Sequence, residues 1–106
     1  MNELSDLKQR LRDFTAARDW KEFHTPKNLA MALVAEAAEV VEHFQWLTTA
    51  ESRALDPAKR AEVALELADV LLYLVMLADS LDIDLAEVAH RKISFNEKRF
   101  PPPPIP

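Results

Sequence analysis

The twenty residues from Glu62 to Leu81 constrain the whole chain. They read Glu-Val-Ala-Leu-Glu-Leu-Ala-Asp-Val-Leu-Leu-Tyr-Leu-Val-Met-Leu-Ala-Asp-Ser-Leu. Ala, Leu, Met and Glu make this run strongly helical. It is apolar on nearly every side, and a helix of that kind is buried rather than laid on a surface. Yet Glu66 and Asp69 sit near its middle. Buried carboxylates are costly without partners, so a cation, a metal or a base must meet them.

The remainder of the chain is suited to surround such a helix. It has 106 residues, no Gly and no Cys, and of its seven Pro only Pro26 and Pro57 precede residue 100. Its length fits one small domain, and its Ala, Leu, Glu, Arg and Lys content points to an all-α fold. The formal net charge of −5 argues against nonspecific binding to a nucleic-acid polymer or an anionic membrane, while leaving room for a phosphate-bearing small molecule. The lack of Cys excludes a disulfide framework and thiolate zinc, and fits a cytoplasmic location. The N-terminus is amphipathic with no apolar signal core, and Val70 to Ala78 is too short an apolar run to span a bilayer.

The spacing predicts four helices. The first covers residues 3 to about 18, with Leu4, Leu7, Leu11 and Phe14 on one face. An aromatic junction follows at Trp20, Phe23 and His24. Thr25-Pro26 is a cap-plus-proline start for the second helix, which is expected to reach about Leu47. Its apolar stripe is Leu29, Leu33, Val40, Phe44 and Leu47. Glu36, Glu39 and His43 lie on the edge of that stripe with Asn28 and Trp46. Thr48 to Leu55 reads as a polar connector. Asp56-Pro57 opens the third helix, expected over about 58 to 81. Here Val63, Leu67, Val70, Leu74, Leu77 and Leu81 keep coiled-coil-like spacing and should form the seam. Leu65, Leu72 and Val75 make a further apolar face, expected to be a subunit interface. Asp84 caps a fourth helix over about 85 to 99, the most basic segment of the chain. The expected whole is a four-helix bundle-like protomer over residues 1–100, oligomeric, with an extended Pro-rich tail at 101–106.

Two acidic pairs carry the chemistry. Glu36-x-x-Glu39 lies on the second helix and Glu66-x-x-Asp69 on the third. Residues i and i+3 share a face, with Cβ atoms roughly 5–6 Å apart. Brought together across the bundle, four carboxylates would repel one another, and a hard divalent cation relieves that. An oxygen-only set suits Mg²⁺ or Mn²⁺ better than zinc or copper. Mg²⁺ is commonly shared with substrate phosphates, which the basic fourth helix could neutralise. Trp20, Trp46 and Tyr73 could hold a base. Glu42 reads as an exposed acid, Glu62 as a first-turn acid favoured by the helix dipole, His43 as an ordinary polar contact, and Arg91 and Lys98 as surface cations.

The two acidic pairs, 26 residues apart, resemble the signature of the all-α nucleoside triphosphate pyrophosphohydrolases, the MazG-like superfamily. Four further stretches are similar to its dCTP pyrophosphatase branch: Trp20 to Leu29, Phe44-Gln-Trp46, Glu66 to Leu74, and Lys92…Asn96…Arg99-Phe-Pro101. The resemblance covers about residues 14 to 101. It implies helical bundles assembled as dimers or tetramers. It also implies cleavage of a nucleoside triphosphate between the α and β phosphates. Carried over by match, Glu36, Glu39, Glu66 and Asp69 would hold Mg²⁺. Trp20, His24, Asn28, Trp46 and Tyr73 would shape the nucleoside pocket, and Lys92, Asn96 and Arg99 would face the triphosphate. The family often has Gly around the first pair, where this chain has Ala35 and Ala38. Their methyls would narrow the approach of a neighbour.

The expected function is therefore Mg²⁺-dependent hydrolysis of dCTP or a modified dCTP to the monophosphate and pyrophosphate. dUTP and a broader triphosphate set remain open. Glu36 is the expected general base. One alternative is a noncatalytic oligomeric helical module, with the acids paired to Arg or Lys across an interface. Another is a carboxylate-bridged di-iron bundle, which typically uses Glu-x-x-His. Positions 39 and 69 are Glu and Asp instead.

Overall fold

The computed structural model describes residues 2–104, so Ile105 and Pro106 of the expected tail lie outside the described residues. The chain is all-helical among them. Its elements are α1 (Glu3–Ala17), a 3-10 turn (Lys21–Phe23), α2 (Pro26–Phe44), α3 (Thr49–Ser52), α4 (Pro57–Ser80) and α5 (Leu85–Arg99). The expected third and fourth helices are thus α4 and α5. Among the described residues, no helix is long and apolar enough to cross a membrane.

Helix starts follow the sequence closely because caps are local. Thr25 Oγ1 accepts the Asn28 amide at 3.2 Å, Asp56 Oδ1 the Lys59 amide at 2.8 Å, and Asp84 Oδ1 the Glu87 amide at 3.1 Å. Pro26 and Pro57 then occupy first-turn positions where no amide is needed. Two features differ from expectation. α2 stops at Phe44, three residues before Leu47. The polar connector contains α3, closed by a capping box: Glu51 donates its amide to Thr48 Oγ1 at 3.1 Å, and Thr48 donates its amide to Glu51 Oε1 at 2.9 Å.

With no Gly, the residue just past the C-cap of α1 and of α4 is an Asp. Asp19 and Asp82 take left-handed φ values of 56° and 54°, a conformation that Asp tolerates better than most residues.

α2 packs along α4, and α1 crosses α4 with a smaller contact. His43, late in α2, meets Glu66, whereas the earlier Glu36 feels Asp69; the pairing is therefore antiparallel. Leu29, Val63, Val75 and Ala78 are buried. The α2 stripe holds: Leu29 is buried, while Leu33, Val40, Phe44 and Leu47 are half-buried.

On α4 the expected faces need correction. Val75, assigned to a subunit interface, is only 4% exposed within the chain, and lines a groove with Leu11 of α1 and Leu29 of α2. Leu67 and Leu81, assigned to the seam, are half open to solvent. The cause is that α1 packs on the Val75 side. A helix apolar all round carries no phase of its own, so its neighbours choose the seam.

The chain is also less closed than a four-helix bundle. α5 makes at most marginal contact with the other helices. The radius of gyration is 17.3 Å, against about 13 Å for a compact chain of this size. Met31 and Val34 on α2, Leu65 on α4, and Ile93 and Phe95 on α5 are exposed.

Candidate active site

The α2–α4 seam gathers the acids. One oxygen each of Glu36, Glu39 and Glu66 lies within 4.8 Å of the others. Glu36 and Glu39 share one face of α2 because they are three residues apart. Antiparallel packing then sets Glu66 of α4 opposite both. Asp69 adds its charge at Glu36 and Glu66 from the next turn of α4.

Burial and repulsion act together here. Glu36 is pushed up from the ordinary 4.5 to about 7, first by burial, then by Glu39, and further by Asp69 and Glu66. The Glu66 carboxyl also rises, first because its protonated form is favoured against Glu39, then through burial and the charges of Glu39 and Asp69. His43 works the other way on Glu66, its Nε2 lying 4.0 Å from Glu66 Oε1. Oε2 of Glu36 and Oε2 of Glu66 are buried without a hydrogen-bond partner among the described residues. Two orphaned carboxylate oxygens in a cluster of three acids fit a hard divalent cation, which would neutralise both.

The remaining expected site residues fall into separate groups. Trp20 sits between α1 and the 3-10 turn, its ring edge-on to Phe14 at 5.7 Å and 6.4 Å from the His24 ring. Asn28 donates through Nδ2 to the Phe23 carbonyl at 3.0 Å, so its amide pins the 3-10 turn to α2. Trp46, past the end of α2, is 87% exposed. Tyr73 is half-buried, one turn beyond Asp69 on α4. Lys92, Asn96 and Arg99 ride on α5. The Lys92 ammonium lies 4.8 Å from the Phe95 ring and the Arg99 guanidinium 5.0 Å from the Phe100 ring, while the Asn96 carbonyl accepts the Phe100 amide at 2.7 Å. Among the described residues, no hydrogen bond or ion pair joins these three to the acids. The chain by itself therefore brings the acids together and leaves the basic helix apart.

His43, on the same edge of α2 as Glu36 and Glu39 and expected as an ordinary polar contact, meets Glu66 across the seam. One contact has no signal in the sequence. Arg12 pairs with Asp79, 67 residues away, and no local pattern signals that.

Fold and site together define an all-α protein whose antiparallel helix pair presents a metal-competent acidic cluster. The chain belongs to the MazG-like family, whose model matches residues 31–103. It is 43% identical to dCTP pyrophosphatase 1 of Rattus norvegicus and 42% identical to that of Homo sapiens, in each case over 92% of this chain. It spans 59% of the length of those relatives. A crystal structure of a pyrophosphatase from Archaeoglobus fulgidus matches with a TM-score of 0.89 at 38% identity, covering 96% of this chain and 95% of that one.

Proposed function

We propose that this protein hydrolyses a deoxynucleoside triphosphate, dCTP or a modified dCTP first among them, between the α and β phosphates. The products are the monophosphate and pyrophosphate. The observation that carries this reading is the cluster of Glu36, Glu39 and Glu66 with its two orphaned buried oxygens, found in a chain 43% identical to a dCTP pyrophosphatase.

Glu36, Glu39, Glu66 and Asp69 would hold Mg²⁺, with Mn²⁺ as a substitute. When bound, such an ion supplies neutralisation of phosphate charge and a lowered pKa for coordinated water. Glu36 accepts a proton from the attacking water as its oxygen bonds to phosphorus. The bridging P–O bond breaks, and pyrophosphate leaves with the electron pair. Glu39, Glu66 and Asp69 hold the acidic floor of the site. Trp20, His24, Asn28, Trp46 and Tyr73 form the nucleoside end, with aromatic faces for the base. Lys92, Asn96 and Arg99 bind the triphosphate, offsetting charge on the departing group. Because α5 stands off from the acids in this chain, we infer that a homo-oligomer, a dimer or tetramer, completes the site. The exposed apolar residues Met31, Val34 and Leu65 support such association.

The test is incubation with dCTP and Mg²⁺ followed by product identification. dCMP and pyrophosphate are expected, and release of orthophosphate rejects the reaction. A side-by-side panel of dNTPs and NTPs ranks the base. Light scattering should report a dimer or tetramer; a stable monomer sinks the completed-site reading.

The same exposed apolar residues favour a second reading, a noncatalytic oligomeric helical module. In that case, thermal melts with EDTA and then Mg²⁺ or nucleotide give one unchanged midpoint.

A further inference from the structure

α1 is held on the rest of the chain by a modest apolar face, with Leu4, Leu7 and Leu11 half-buried. None of its residues is fully buried, and its last large apolar side chain, Phe14, is 45% exposed. It also carries Arg12. Nε donates to Asp79 Oδ2 at 2.8 Å, and Nη2 donates to Asp79 Oδ1 at 2.6 Å. Two parallel N–H···O bonds fix orientation as well as distance. Of the other ion pairs among the described residues, two are local to a single helix and one is the His43–Glu66 contact. Among the described residues Arg12–Asp79 is thus the close ion pair between α1 and α4, with the charge of Lys8 acting on Asp79 as well. The guanidinium holds the Asp79 carboxyl below its ordinary range.

This tie lies one turn from the residues that carry Trp20. The Thr15 carbonyl accepts the Trp20 amide at 3.1 Å, and the Phe14 ring meets the indole edge-on. Arg18 covers the Phe14 ring at 3.7 Å. Trp20 therefore travels with α1. His24 precedes α2 and lines a cavity of about 580 Å³ shared with Arg12, Asp79, Lys8 and Lys21. How α1 sits on α4 sets how Trp20 meets His24.

We propose that Arg12 and Asp79 are positioning residues for the nucleoside end of the site: their paired charges dock α1 on α4 and so fix the indole of Trp20 against the His24 ring. This rests on the proposed role of Trp20 and His24 at the nucleoside. The pair touches no phosphate, so its loss weakens ground-state and transition-state binding alike. Such a loss raises KM and spares kcat.

The test uses Arg12→Gln, Asp79→Asn and the reversed pair Arg12→Asp with Asp79→Arg. Each is made in the full chain and again in a Trp46→Phe background, where Trp20 is the only indole. Each single variant should raise KM for dCTP about fivefold with kcat within about twofold. Acrylamide quenching of Trp20 should rise in parallel, and the reversed pair should recover both. Added NaCl should raise Trp20 quenching in the unaltered pair, because the pair is partly exposed and salt screens it, while leaving the single variants unmoved. The assignment is overturned by single variants with unchanged quenching and KM, by kcat falling with KM steady, by quenching of the unaltered pair that ignores salt, or by a reversed pair that recovers nothing. Quenching needs no turnover, so failure of the proposed reaction and failure of this tie are separate results.

Discussion

Glu66 and Asp79 are both half-buried carboxylates on α4, and they have opposite company. Asp79 meets a guanidinium from α1 in two hydrogen bonds. Glu66 meets two further glutamates, a nearby aspartate and, at 4.0 Å, a histidine. Asp79 is answered within the chain, and its carboxyl is held down. Glu66 and Glu36 are not, and theirs are driven up. A folded chain that concentrates unanswered charge at one seam while pairing it at another leaves the first for something from outside. Asp56 shows a third solution on the same helix: it takes a backbone amide at the helix start.

The comparison is broken most directly by turnover. Glu66→Gln should lower the dCTP rate at least about a hundredfold with helical circular dichroism retained, whereas Asp79→Asn keeps kcat within about twofold. Equal losses in both would show that the two acids are not functionally distinct.

Metal removal is the next largest effect. EDTA should stop the reaction and lower the melting midpoint. At a hundredfold excess over Kd, a bound divalent ion should restore about 2.7 kcal/mol. The shift should vanish in Glu66→Gln and persist in Asp79→Asn. Identical shifts in both variants would remove the ion from this seam.

The two regions should also differ in the sign of their pH dependence. Glu36 rises from 4.5 to about 7 on folding, so the unfolded chain releases that proton first. Its contribution to stability is full below 4.5 and is lost as pH climbs through about 7. Asp79 is held below its ordinary 3.8, so its contribution is present above 3.8 and is lost as pH falls through the lower folded value. In EDTA, the denaturation midpoint should therefore decline from pH 4.5 to 7.5. Glu36→Gln should flatten that decline, and Asp79→Asn should lower the midpoint at all pH above 3.8 while changing the pH slope only in the acid limb. A midpoint that rises toward neutrality in EDTA would contradict the first half.

The smallest effect belongs to Asp56. Replacement by Ala should cost about 1 kcal/mol of stability through loss of the cap, with kcat unchanged. Loss of activity in a folded Asp56→Ala protein would mean that the start of α4 reaches the site.

Local chemistry made much of this legible. Thr25-Pro26, Asp56-Pro57 and Asp84 announced helix starts because a cap and its amides lie within three residues. The Glu36/Glu39 and Glu66/Asp69 spacings announced shared faces for the same reason. α3 is legible too, as Thr48 and Glu51 spell its capping box, although the polarity of Thr48 to Leu55 reads as a connector. Val75 could not be assigned correctly, since α4 offers apolar residues all round and only the arrival of α1 marks one side as interior. Nor could Arg12–Asp79, whose partners are joined only by the crossing of two helices.

The sequence alone determined the helices, their caps, and the two acidic pairs, because each depends on interactions spanning a turn or less. The tertiary structure decided which side of α4 is covered, how near Glu66 comes to Glu36 and Glu39, and which carboxylate finds a cation. Those outcomes depend on where distant helices cross, and short-range propensity carries no term for that.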